Sequence, residues 1–148
     1  MVSKPGFDPN ALAVHDTDAV IALYEQLLAD PGEPLINRTM NGALDPPGST
    51  FKLVVAAAAL KAGFTPDSTF PNPASLQLPQ SDVVIYNSDR GTCGGGDTVT
   101  LADALRLSCN IPFAELGLQL GYKKILEQAM AFGFNESVDV PMTSTPSV

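Results

Sequence analysis

The 148-residue chain has the length of one domain, in which folding buries roughly 70% of the surface that the unfolded chain exposes. Eight basic residues against sixteen acidic ones give a formal charge of −8, which argues against nucleic acid or an anionic membrane surface as a partner. No run approaches the roughly 18 apolar residues that span a bilayer. Met1-Val2-Ser3-Lys4-Pro5-Gly6 lacks an apolar signal segment, so any targeting label is expected outside this chain.

In chain order, residues 1–15 read as an extended leading segment punctuated by Pro5, Gly6, Pro9 and Asn10. Asp16 or Thr17 caps a helix running to about Asp30, with Val20, Ile21, Tyr24, Leu27 and Leu28 recurring at helical spacing on one face. Pro31-Gly32 stops it, and residues 33–48 connect to a second helix from about Ser49 to Gly63. Between Phe64 and Thr98 lies a proline- and glycine-rich region with one predicted strand, Val83-Val84-Ile85-Tyr86, and a flexible Gly94-Gly95-Gly96 run. Thr98 or Thr100 opens a third helix to about Ser108. Pro112 opens a fourth to about Gly121, and a fifth spans about Tyr122 to Phe132 and closes at Gly133.

The second helix carries the sharpest chemical signal. From Phe51 to Leu60 every residue is apolar except Lys52. A helix apolar all round is normally buried, and burial favours the neutral form of a lone lysine, which can act as a general base. Ser49, three residues earlier, shares its helix face and stands at the N-terminus, where unpaired N–H groups stabilise a developing negative charge. A serine within reach of an unprotonated lysine is an activated nucleophile. The plainer alternative is that Ser49 is an N-cap and Lys52 extends its amine to solvent.

A second feature is Ser108-Cys109-Asn110, followed by Ile111-Pro112. Because Ile111 precedes proline, the triplet is expected in a turn between helices, from which Ser108 and Asn110 can point into one cleft. The plainer alternative is that Asn110 caps the next helix. Cys93, Cys109 and the single histidine, His15, are too few for a structural zinc site. From the residues alone, a disulfide and two free thiols both remain open.

Pro47-Gly48-Ser49-Thr50-Phe51-Lys52 and Ser108-Cys109-Asn110 together resemble the first two motifs of the penicillin-binding proteins. Asp8-Pro9-Asn10, Pro34-Leu35-Ile36-Asn37-Arg38 and Thr100-Leu101-Ala102-Asp103-Ala104 extend the resemblance from about residue 3 to the C-terminus. It is strongest to the class B, monofunctional, penicillin-binding protein A-like branch, which is associated with cell division. The resemblance implies an α+β penicillin-binding transpeptidase fold, serine β-lactamase-like, of which this chain would be mainly α. It implies a peptidoglycan D,D-transpeptidase that acylates Ser49 with D-Ala-D-Ala stem peptides, with Lys52 as base and Ser108 as proton relay. Asn110 would bind the substrate's amide, and β-lactams would mimic the substrate. No cofactor or metal is implied. The expected partners are the stem peptide, β-lactam antibiotics, the rest of the domain and cell-division proteins, at the outer face of the bacterial membrane.

The third family motif, Lys-Thr-Gly, is absent: after Ser108 the only lysines are Lys123 and Lys124, followed by Ile125. Residues 1–148 are therefore expected to be a partial transpeptidase domain, without the Lys-Thr-Gly strand and the N-terminal strands, and with an exposed apolar surface. The extracytoplasmic setting that the resemblance implies also implies a Cys93–Cys109 disulfide, worth about 3 kcal/mol for a loop near that length. A serine β-lactamase, a β-lactam sensor domain and a scaffold without chemistry are the competing readings.

Overall fold

The computed structural model describes residues 2–40, 44–141 and 143–147; Met1 and residues 41–43 of the expected connecting stretch lie outside them. The chain divides into two compact units, Met1–Asp45 with Asn135–Val148, and Pro46–Phe134.

In the first unit a single 3-10 turn, Pro9–Leu12, precedes helix α1, Thr17–Ala29. Asp16 caps α1 by accepting a hydrogen bond from the Ala19 N–H at 3.1 Å. The helix fully buries no residue: Val20, Leu23 and Leu27 are half-buried, and Ile21, Tyr24 and Leu28 stay exposed. Arg38 pairs with Glu33 at 3.5 Å and donates to the Gly32 carbonyl at 2.8 Å, a structural role in the loop.

The second unit is built on α2, Lys52–Lys61, which packs mainly against α4, Ile111–Ala131. Four successive alanines make this close approach possible: Ala58 and Ala59 are buried in one cluster with Phe113, Leu116 and Leu120 of α4. Gly63 follows α2 at φ +98° and ends it where the sequence predicts. Helix α4 is two helices in succession, broken at Gly121 (φ 73°, ψ 161°). That backbone conformation belongs to glycine almost alone, which is why the sequence reads as two helices meeting there.

The proline- and glycine-rich region holds more order than the sequence suggests. Strand β1, Thr69–Pro71, pairs antiparallel with β4, Thr98–Thr100, placing buried Phe70 opposite Val99. Strand β2, Ser75–Gln77, pairs antiparallel with β3, Val84–Tyr86, the strand expected from Val83. Each is only three residues long. The expected flexible glycine run is a 3-10 turn, Cys93–Gly95, with Gly94 at φ +74°, where a Cβ would sit 2.8 Å from Leu107 Cδ1. Helix α3, Leu101–Arg106, follows β4 directly, capped by the Thr100 hydroxyl, which accepts from the Asp103 N–H at 3.1 Å.

Candidate active site

Ser49 lies in a 3-10 turn, Gly48–Phe51, that leads into α2. The sequence predicts the α-helix from Ser49; the structure starts it three residues later, after a 3-10 turn in which the Thr50 N–H donates to the Pro47 carbonyl at 3.3 Å. In a 3-10 turn residues i and i+3 eclipse, so Ser49 and Lys52 still lie one above the other. Ser49 is exposed, and neither the turn nor α2 has a side-chain cap, so Ser49 is not serving as one.

The amine of Lys52 does not run out to solvent. It donates to the Ser108 carbonyl at 2.6 Å and to Asn110 Oδ1 at 2.7 Å, and lies 3.1 Å from Ser108 Oγ. The Phe113 ring lies beneath it, 5.8 Å from ring centroid to Nζ. No carboxylate among the described residues forms a salt bridge with it. Burial therefore pushes the Lys52 amine below its ordinary value of 10.5, because withdrawal from water costs the charged form more than the neutral one. Of its three partners, the Ser108 carbonyl and Asn110 Oδ1 can only accept, so the Ser108 hydroxyl is the one that could return a proton to a neutral amine.

The second motif sits in the turn between α3 and α4, as expected from Pro112. Ser108 has φ +57°, a left-handed conformation that a serine adopts at a cost of about 1–2 kcal/mol. Asn110 occupies the N-cap position of α4 but makes no side-chain cap bond. Its amide is held between two partners: Nδ2 donates to the Tyr86 carbonyl at 2.9 Å, and Oδ1 accepts from Lys52. Because a carbonyl only accepts, Tyr86 fixes which end of the amide faces Lys52. Between Ser108 and Asn110, Cys109 is buried and joined to Cys93 by a disulfide, with Cα atoms 5.7 Å apart.

Two residues that sequence reasoning missed support this turn. Asn72, just after β1, is buried; its Oδ1 accepts from the Cys93 N–H at 3.0 Å, and its Nδ2 donates to the carbonyls of Cys93 and Gly96, each at 2.7 Å. Asn87, just after β3, accepts from the N–H groups of Asn110 and Ile111 and donates to the Gly91 carbonyl. Both stand in loops, where an asparagine in a sequence reads simply as a turn residue. His15, the single histidine, is exposed in the first unit.

A Ser-x-x-Lys pair at the start of a helix, set against a Ser-x-Asn turn that binds the lysine amine, is the pattern of the penicillin-binding class of fold. The family model described as the penicillin binding protein transpeptidase domain matches residues 1–146, and the chain belongs to that family. It is 42% identical over 146 residues to the peptidoglycan D,D-transpeptidase PbpA of Mycolicibacterium smegmatis, covering 99% of this chain and 29% of that protein. It is 37% identical over 146 residues to the PbpA of Mycobacterium tuberculosis, with the same coverage of 99% and 29%. The solved imipenem acyl-enzyme complex of penicillin-binding protein A from M. tuberculosis superposes with a TM-score of 0.92 at 35% identity, covering 98% of this chain and 33% of that one. The chain thus spans under a third of the length of these relatives. The penicillin-binding transpeptidase fold is the one expected from the sequence, in its mainly helical portion.

Proposed function

We propose that this chain is the part of a peptidoglycan D,D-transpeptidase domain that carries the acylated serine, and that the Lys-Thr-Gly strand and the remaining strands come from the rest of the parent protein. The observation that supports this best is the Lys52 amine, held by Ser108 and Asn110 one turn from an exposed Ser49.

In this reading Ser49 Oγ attacks the penultimate D-Ala carbonyl of a D-Ala-D-Ala stem peptide, and its proton passes to Lys52. The C–N bond to the terminal D-Ala then breaks. The departing amine takes the proton from Lys52 through the Ser108 hydroxyl, which is hydrogen-bonded to that amine. An amine of a neighbouring stem peptide attacks the acyl-enzyme, gives its proton to Lys52, and Ser49 recovers its own as the cross-link closes. Asn110, anchored by Tyr86, presents its amide to the substrate peptide. The start of α2 contributes positive potential where negative charge develops. β-Lactams would acylate Ser49 in place of the stem peptide, as imipenem does in the M. tuberculosis protein. The site would face the extracytoplasmic side of the membrane, where the Cys93–Cys109 disulfide is stable and cell-division proteins are the natural partners. No described helix is long and apolar enough to cross a membrane.

The test is a reaction of the parent-length protein with a D-Ala-D-Ala stem peptide and an acceptor amine. Release of D-Ala with formation of the cross-linked dimer is expected. Rapid catalytic destruction of penicillin with no dimer would instead make the protein a β-lactamase, and neither activity would leave it a sensor or scaffold.

A further inference from the structure

We infer that Asn87 is a positioning residue for acylation: by holding the first N–H groups of α4, it fixes the Asn110 main chain so that the Asn110 side chain meets Lys52. The inference deepens the reading above and rests on it for its catalytic consequence, but not for its geometry.

An asparagine at an N-cap normally turns its side chain onto the N–H groups of its own first turn. Asn110 stands at that position, yet its amide points to Lys52 and Tyr86. The main chain that carries this amide is held from outside the helix. Asn87 Oδ1 accepts from Asn110 N–H at 2.9 Å and from Ile111 N–H at 3.3 Å. A cap bond from Asn110 would go to the second or third residue of α4, and since Pro112 has no N–H, Phe113 is the single target left. The pull on the Asn110 side chain to fold back is correspondingly weak.

Asn87 is itself fixed. It is 4% exposed, and its Nδ2 donates to the Gly91 carbonyl at 3.0 Å, which sets the amide so that Oδ1 faces α4. Tyr86 and Asn87, adjacent at the end of β3, therefore hold both the side chain and the main chain of Asn110. Removing the Asn87 acceptor orphans the N–H groups of Asn110 and Ile111 and loosens the main chain from which Asn110 reaches Lys52.

The experiment compares Asn87→Ala, Asn87→Asp and Asn110→Ala by two readouts. The first is the titration of Lys52, followed by NMR of labelled lysine in this chain, which needs no acylation. Loss of an acceptor that favours the ammonium should lower the Lys52 pKa in Asn87→Ala, as in Asn110→Ala, and the double variant should add nothing further. Asn87→Asp keeps the acceptor and adds a negative charge, so its Lys52 pKa should lie above that of Asn87→Ala and not below the wild type. The second readout is acylation by benzylpenicillin in whichever chain, this one or the parent length, is modified. Asn87→Ala should slow the acylation step by about 10- to 100-fold with little change in initial binding, the range for a hydrogen bond to a charged group. Asn87→Asp, which keeps the acceptor but loses the Gly91 bond, should acylate faster than Asn87→Ala. Should Asn87→Ala not fold, Asn87→Ser, whose hydroxyl falls short of α4, takes its place. A merely structural residue would lower the melting temperature and leave the Lys52 titration unmoved, and that result overturns the inference. So does an Asn87→Asp protein that titrates like Asn87→Ala. A wild type that is never acylated while the titrations behave as stated removes the transpeptidase reading and leaves the positioning of Asn110 intact.

Discussion

Replacing Cys93 and Cys109 together by alanine removes the covalent tie on the Ser108–Asn110 turn and leaves its polar contacts in place. The bridge spans a sequence separation of 16, and closing a ring of that size withdraws entropy from the unfolded chain worth about 3 kcal/mol at 25 °C. Unfolding entropy near 2.1 cal/mol/K per residue makes that loss a fall of about 10 °C in the melting temperature of a 148-residue chain. The catalytic effect should be much smaller. Asn72 grips Cys93 through both its N–H and its carbonyl, so the loop keeps its local shape without the bridge. Thermal denaturation followed by circular dichroism gives the first quantity, and the rate of penicillin adduct formation gives the second. A midpoint that moves by less than about 3 °C would refute the entropic account. An acylation rate that collapses in a protein still folded at the assay temperature would show that Asn72 does not hold the loop.

Three further outcomes follow from the site. Lys52→Met keeps the side-chain volume but removes the base, and penicillin acylation should slow by about 10²- to 10⁴-fold in stopped-flow or quench assays. The pH dependence has a definite sign. The Lys52 pKa in the folded chain lies below the 10.5 of the unfolded one, so between those two values the unfolded chain binds more protons and stability rises with pH. The acylation rate should climb over the Lys52 titration and level off above it; a rate that declines through that range contradicts the assignment, and Lys52→Met should lose this limb. At Ser108, both glycine and alanine remove the hydroxyl, but only glycine relaxes the left-handed backbone at φ +57°. Ser108→Gly should therefore be more stable than Ser108→Ala by about 1 kcal/mol in denaturant titration, with both acylating slowly.

The parts of this molecule legible in the sequence are those set by local chemistry. Asp16 before an amphipathic stretch, the apolar run around Lys52, and glycines at 63 and 121 each fix a helix or its end through neighbours a few residues away. The Ser-x-x-Lys and Ser-x-Asn patterns were readable for the same reason, and so was the turn imposed by Pro112. What stayed hidden depends on distant pairing. Thr69–Pro71 and Thr98–Thr100 are too short to show alternation, and proline ends one of them, so their pairing is invisible until Phe70 and Val99 meet. Asn72 and Asn87 look like ordinary turn residues until they are found buried, with partners 21 to 24 residues away. The choice of partner at Lys52 was hidden too. Spacing places it over Ser49, but only the fold brings the turn 56 to 58 residues downstream onto its amine.

The central claim is that Ser49 is the acylated nucleophile, and intact-mass spectrometry of the protein before and after benzylpenicillin tests it most directly. The account predicts a single adduct with the mass of the opened β-lactam, mapping by proteolysis to the peptide that contains Ser49 and absent in Ser49→Ala. This chain is measured first, and the parent-length protein, in which the Lys-Thr-Gly strand is expected, decides the matter. An adduct that persists in Ser49→Ala, or a parent-length protein that stays unmodified, would contradict it.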